Sequence, residues 1–234
     1  MRGALDLVNG SHPLAEEPER GELVAVDGAH PHILLRRRAQ AMLARLLAAV
    51  DSGPAIVPVS GYRPRAEQQA IWDSALAEHG LPFTQTYVAR PGCSEHQTGL
   101  AIDLGENRPE VDFLCPAFPD SGPCGALRRR AAEFGFVLRY PAGKEKITGI
   151  GHEPWHFRYV GQPHARLMEG RGLVLEEYLD WLRSFPPEAP LEGEGWTLCW
   201  LADGAAPLPP PGTPWKVEDT NAGGAVLTVG RWEA

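Results

Sequence analysis

Residues 151–161 read GHEPWHFRYVG and carry two histidines and a glutamate, the side chains of hydrolytic metal chemistry. As a string, His152-Glu153-Pro154-Trp155-His156 satisfies H-E-x-x-H, in which two histidines hold one zinc ion and the glutamate is the base. That chemistry needs a helix, because only there do side chains at i and i+4 share a face. Pro154 argues against a helix. Inside one it removes a hydrogen bond and clashes with the preceding turn, at about 3 kcal/mol or more, and it biases Glu153 toward extended geometry. His-Phe-Arg-Tyr-Val follows, rich in strand formers. A third histidine at the extended zinc-protease spacing is missing, since Gly161 and His164 arrive two positions late.

A second set of donors lies upstream. CSEHQTGLAIDLG, 93–105, offers His96 and, seven residues on, Asp103. His96 falls at a loop end and Asp103 on the strand that follows. With His156 they make His-Asp-His, three protein ligands with a fourth position open, the pattern of a catalytic zinc site. Glu153 is then free to act as base. Plain strand alternation would separate Glu153 from His156, so the proline turn must let both point inward. His152 reads as a rim residue. His12, His30, His32, His79 and His164 read as surface or hydrogen-bonded core histidines.

Several elements must position this set. Residues 1–30 look irregular. PHILLRRRAQAMLARLLAAV, 31–50, has helical apolar spacing and stops at Ser52-Gly53-Pro54. AIVPVS, 55–60, reads as a strand. PRAEQQAIWDSALAEHG reads as a helix with Pro64 near its first turn and Gly80 past its end, followed by a loop through 82–95. In GLAIDLG, 99–105, Leu100, Ile102 and Leu104 face one way, Ala101 and Asp103 the other. A Pro/Gly loop spans 106–123. GALRRRAAEFG reads as a helix, FVLRY as a strand, PAGKEKITGI as a turn and short strand, HFRYV (156–160) as a strand and LVLEEYLDWLRS (173–184) as the last helix. After a linker, WTLCWLAD, WKVED and AVLTVG read as three short strands around the Pro-rich turn PLPPPGTP. This divides the chain into a catalytic domain, 1–188, and a small C-terminal β subdomain, 189–234.

The composition limits the partners. The 234 residues carry a formal net charge of −8, which disfavours nucleic acid and anionic membranes. The triplets Arg36-Arg37-Arg38 and Arg128-Arg129-Arg130 read as solvated helix faces. No apolar run approaches the ~20 residues of a membrane span. The start, MRGALDLVNGSHPL, lacks a basic stretch followed by an apolar run, which reads as cytoplasmic. An exported form without its leader would read the same. Cys93, Cys115, Cys124 and Cys199 form no C-x-x-C. Cys115 and Cys124 flank a loop and read as free thiols in cytosol, or as a disulfide pair in an oxidising compartment.

SGYRPRAEQ (60–68), YVARPGCSEHQTGLAIDL (87–104) and FGFVLRYPAGKEKITGIGHEPWHFRYVG (134–161) together resemble the VanY-type D-alanyl-D-alanine carboxypeptidases and the related VanX and VanXY dipeptidases. The resemblance runs from about Leu7 to Leu182. It implies an α+β fold, a small antiparallel sheet with flanking helices and a zinc ion in a surface cleft. It implies His96, Asp103 and His156 as zinc ligands and Glu153 as base. By the same resemblance Arg63 points at the substrate carbonyl, and Gln68 and Ser94 hold the terminal carboxylate. Cys93 and His152 depart from the family pattern at the rim of the site. Cys93 reads as a small filler. Tyr87 and Trp155 read equally as pocket lining or as packed aromatics.

The implied substrates end in D-alanine, either the free dipeptide or a peptidoglycan stem peptide. An L,D-carboxypeptidase trimming tetrapeptide stems is the nearest rival, with a phage-type endopeptidase behind it. A non-catalytic zinc-containing wall-binding module is the alternative of another class, and it would need neither Glu153 nor Arg63. Oligomeric state is left open.

Overall fold

A computed structural model describes residues 3–203, 205, 209 and 211–232. Its strands form three antiparallel sheets among the described residues. β1 (Leu23–Ala25) pairs with β2 (Leu34–Arg36). β3 (Ile56–Ser60), β4 (Ala101–Glu106), β5 (Phe136–Tyr140) and β6 (Glu153–Tyr159) make the central sheet, ordered β3-β4-β6-β5. β7 (Leu191–Gly193), β8 (Trp196–Leu201), β9 (Trp215–Thr220) and β10 (Gly224–Gly230) make the C-terminal sheet, ordered β7-β8-β10-β9. The helices are α1 (Arg37–Ala49), α2 (Arg65–Tyr87), α3 (Gly122–Arg130), α4 (Glu145–Thr148), α5 (His164–Arg171) and α6 (Leu175–Leu182).

The α+β class expected from the resemblance is the class observed. Some elements differ from the sequence reading. The helix expected over 31–50 begins only at Arg37, because Leu34–Arg36 is taken by pairing with Leu23–Ala25. Arg36 is therefore not on a helix face; its Nε donates to the Thr98 carbonyl at 2.9 Å. The loop expected from 82 is partly helical. The chain breaks at Gly80 (φ 78°, ψ 171°) and resumes through Pro82 to Tyr87. The short strand expected in PAGKEKITGI is α4, one helical turn closed by Gly149. HARLMEGR forms α5, and the C-terminal sheet has four strands instead of three. The Pro-rich turn lies partly outside the described residues.

Two cores hold the central sheet. Leu35, Met42, Leu43 and Leu46 pack with Ile102, Leu104, Leu127 and Phe157, so α1 and α3 cover one region of it. The second core joins Val137 and Val160 to Met168, Leu175, Leu179 and Leu182, then to Leu198, Trp200 and Val226 of the C-terminal sheet and to Leu5 and Leu7. The C-terminal sheet thus buries apolar surface against α5 and α6. Asn221 reinforces the contact: its amide accepts from Leu7 N at 2.8 Å and donates to Leu7 O at 2.6 Å.

Candidate active site

Asp103 and His156 are opposite partners in the β4–β6 ladder. His96 reaches them from a 3₁₀ turn, Glu95–Thr98, that leads into β4. The turn ends at Gly99 in the left-handed region (φ 68°), which glycine adopts at no steric cost. A Cβ there would lie 2.7 Å from Leu23 Cδ2.

The three side chains converge. His96 Nε2 is 2.9 Å from Asp103 Oδ2, and His156 Nδ1 is 2.9 Å from Asp103 Oδ1. One ligand atom from each lies within 4.8 Å of the others, and all three residues are buried. The outer nitrogen of His96 is committed: Nδ1 bonds the Gly61 carbonyl at 2.7 Å. That makes Nδ1 the donor and leaves an Nε2 lone pair facing inward. Two imidazole nitrogens and a carboxylate oxygen around one point fit a divalent ion of the zinc type. Burial pushes the Asp103 carboxyl up, but His96 and His156 outweigh it and hold it well below the carboxylate range.

Glu153 stands beside this trio, with Oε2 3.7 Å from His156 Nδ1. Glu153 and His156 are three residues apart, yet both face the site. The β5–β6 register accounts for this: Leu138 pairs Phe157 while Tyr140 pairs Glu153, so four residues of β6 span two of β5. Such a bulge re-aims side chains. Burial raises Glu153 to about 8, against the pull of His156 and with help from the Asp103 charge. His152 points elsewhere; it is exposed, and its Nδ1 lies 2.9 Å from the Tyr140 carbonyl.

Arg63 enters from the loop after β3. Its Nη1 donates to Gln68 Oε1 at 3.0 Å and its Nη2 to Ser60 Oγ at 3.2 Å, and Nη2 is 3.7 Å from Asp103 Oδ2. Gln68 is engaged at both ends, since its Nε2 also donates to the Ala89 carbonyl at 2.7 Å. Ser94 is buried on the cleft wall and its side chain does not cap the turn it precedes. Tyr87 and Trp155 also line the cleft, Trp155 being part of the first core as well. The space enclosed in the cleft is small, about 40 Å³.

Sequence reasoning passed over three buried charges behind the site. Glu95 Oε1 accepts from Arg139 Nε at 2.8 Å and lies 3.0 Å from Arg158 Nη1. Arg139 also binds Glu176 through both terminal nitrogens, at 2.9 and 2.7 Å. The signal was present: FVLRY and HFRYV each set one arginine in an apolar strand, and a buried charge requires a partner. Four cysteines remain free thiols, Cys115 and Cys124 among them.

A family model described as VanY, D-alanyl-D-alanine carboxypeptidase, matches residues 32–162. The bifunctional D-Ala-D-Ala dipeptidase and carboxypeptidase VanXYC of Enterococcus gallinarum is 42% identical over 179 residues, covering 76% of this chain and 94% of its own length. The crystal structure of the vancomycin-resistance D,D-dipeptidase VanXYg, in complex with a D-Ala-D-Ala phosphinate analogue, superposes with a TM-score of 0.93. It is 40% identical and covers 98% of this chain and 94% of that one. A VanY D,D-pentapeptidase variant from a VanB-type resistance cassette, in complex with Zn(II), gives a TM-score of 0.60 at 34% identity, covering 75% of this chain and 98% of its own. With its family match over more than half its length and a relative of this identity aligned nearly end to end, the chain belongs to the VanY family of D-alanyl-D-alanine carboxypeptidases.

Proposed function

We propose that this chain is a zinc peptidase that removes the last residue from peptides ending in D-alanyl-D-alanine, as free dipeptide or as cell-wall precursor. The observation that carries this reading is the meeting of His96, Asp103 and His156 in one buried cluster with Glu153 and Arg63 beside it. A wall-binding module would need the cluster but neither neighbour.

His96 through Nε2, Asp103 through its carboxylate and His156 through Nδ1 would hold the ion. Zinc, when bound, supplies Lewis-acid polarisation and makes water acidic enough to react near neutral pH. The remaining work falls to the protein. Glu153 takes the proton from the attacking water as the new C–O bond forms. It then delivers that proton to the amide nitrogen as the C–N bond breaks, leaving a carboxylate and free D-alanine. Burial pushes the Glu153 carboxyl up from its ordinary value, the direction that suits a group that must both accept and release a proton. Arg63 offers a fixed guanidinium to the carbonyl oxygen as charge builds on it. Gln68, occupied by Arg63 and Ala89, holds that guanidinium in place. Ser94 is the group we assign to the carboxylate directly.

The test is a substrate panel read by mass spectrometry. D-Ala-D-Ala, a stem pentapeptide ending in D-Ala-D-Ala and a tetrapeptide with a single terminal D-Ala are incubated with and without a chelator. Loss of D-alanine from the dipeptide or pentapeptide, abolished by the chelator and restored by zinc, is expected. Cleavage of the tetrapeptide alone would make this an L,D-carboxypeptidase. No cleavage by zinc-loaded protein would end the peptidase reading.

A further inference from the structure

Glu95 Oε2 and His156 Nε2 face each other in the interior, 3.6 Å apart. Neither atom has a hydrogen-bond partner among the described residues, and their side chains are 0% and 3% exposed. An unsatisfied buried polar group costs about 1–3 kcal/mol. A shift of about half an ångström would satisfy both atoms at once.

The other oxygen of the same carboxylate, Oε1, accepts one hydrogen bond, from Arg139 Nε at 2.8 Å, and has Arg158 Nη1 beside it at 3.0 Å as an ion pair without hydrogen-bond geometry. The arginines spend their remaining nitrogens elsewhere. Arg139 gives both terminal nitrogens to Glu176, and Arg158 gives Nη2 to the Ala4 and Asp6 carbonyls at 3.0 and 2.9 Å. If Glu95 served only to balance two buried cations, a fork of guanidinium nitrogens would span both its oxygens. Instead Oε2 is left aimed at the ring. On its far side that ring turns Nδ1 to Asp103 Oδ1, 2.9 Å away.

We infer that Glu95 is a positioning residue for His156: its Oε2 accepts the Nε2–H, which fixes the tautomer whose Nδ1 lone pair faces the metal position. The inference rests on the zinc-peptidase reading and deepens it. A neutral imidazole carries one ring proton, so pinning it on Nε2 leaves Nδ1 as the ligand atom. A carboxylate behind a ligating histidine also raises the ring's basicity and locks its rotation.

Two measurements on the full chain test this. In the zinc-loaded wild type, long-range ¹H–¹⁵N spectra of the imidazole nitrogens should show His156 protonated at Nε2 and ligated at Nδ1. Zinc affinity by chelator competition should fall about 10–100-fold in Glu95→Gln. Arg139→Gln disturbs the ion pairs without touching Oε2 and should change that affinity by less than about threefold, while its zinc-free melting temperature falls. A proton on Nδ1 of His156 in the wild type would overturn the inference, as would equal loss of affinity in the two variants. Should Glu95→Gln fail to fold, the wild-type spectrum decides alone. A wild type that takes up no zinc overturns the peptidase reading, and this inference falls with it. Normal zinc uptake with Nδ1-protonated His156 overturns this inference only.

Discussion

Glu153 and His152 are adjacent in sequence and opposite in circumstance. One is buried 3.7 Å from a nitrogen of the His156 ring, and the other is exposed against a backbone carbonyl. Glu153→Gln should therefore lower kcat by about 10²–10⁴ while zinc content per chain stays at the wild-type value. His152→Ala should leave both unchanged. Metal analysis alongside initial rates checks the pair, and zinc lost from His152→Ala but kept in His96→Ala would reverse the ligand assignment. The different roles of these two neighbours are legible in the sequence, because a proline sits inside the tempting motif and rules its helix out. Glu95 is not legible in the same way. Its neighbours in the string are a cleft serine and a proposed ligand, and nothing in the one-dimensional spacing shows that two arginines, 44 and 63 residues downstream, close around it.

At the scale of elements, β4 is legible from its alternation, and both of its faces are used. Ile102 and Leu104 enter the core while Asp103 faces the site. The bulge in β6 is not legible, because an extra pair of residues leaves no periodic trace. α5 escapes for a related reason: eight residues with few apolar positions give too little pattern to distinguish from loop. The left-handed glycines allow a quantitative check. Gly149 closes α4 with open space around it, whereas Gly99 is enclosed by Leu23 and Arg36. Gly149→Ala should cost only the backbone penalty, about 1–2 kcal/mol. Gly99→Ala should cost about 1–3 kcal/mol more, since the added methyl must displace packed neighbours. Denaturant titration of the two variants reads the difference, and equal losses would show that the Leu23 side yields freely.

At the scale of the molecule, the C-terminal sheet is joined to the rest by a buried polar cluster as well as by the second core. His164 lies between the Tyr178 hydroxyl, 2.7 Å from Nδ1, and Glu218 Oε2, 3.0 Å from Nε2; Lys216 Nζ is 2.8 Å from the same oxygen. Burial raises the Glu218 carboxyl, but the His164 hydrogen bond and the His164 and Lys216 charges outweigh it and bring it to about 2. A carboxyl depressed in the folded state contributes its full stability above its ordinary value near 4.5 and loses it as pH falls toward 2. His164 is shifted down, chiefly by burial, so its contribution also fades as pH drops below its ordinary value near 6.5. The stability gap between wild type and Glu218→Gln should be fully present at and above about pH 5, on the order of 2–3 kcal/mol. It should narrow between about pH 5 and pH 2. Urea denaturation at stepped pH measures it, and a gap that does not change with pH would mean Glu218 contributes no charge to the joint. In the sequence the appended strands stand out by the linker before them and the change of pattern after it. That they share a core with Leu5 and Leu7 is not legible there, because contacts between distant segments leave no mark on local composition.

Asp103 and His156 occupy the same rung of neighbouring strands. Slide one strand past the other by a single position and an aromatic, Phe157, stands where the imidazole was, with every side chain on that strand turned to the opposite side. A cation held by both residues would be a peg through two boards, fitting only when the holes line up. Binding it would favour the paired register over a slipped one. A one-residue deletion anywhere between the pegged rungs and their turns would therefore cost the enzyme its shape and its reactivity in one stroke.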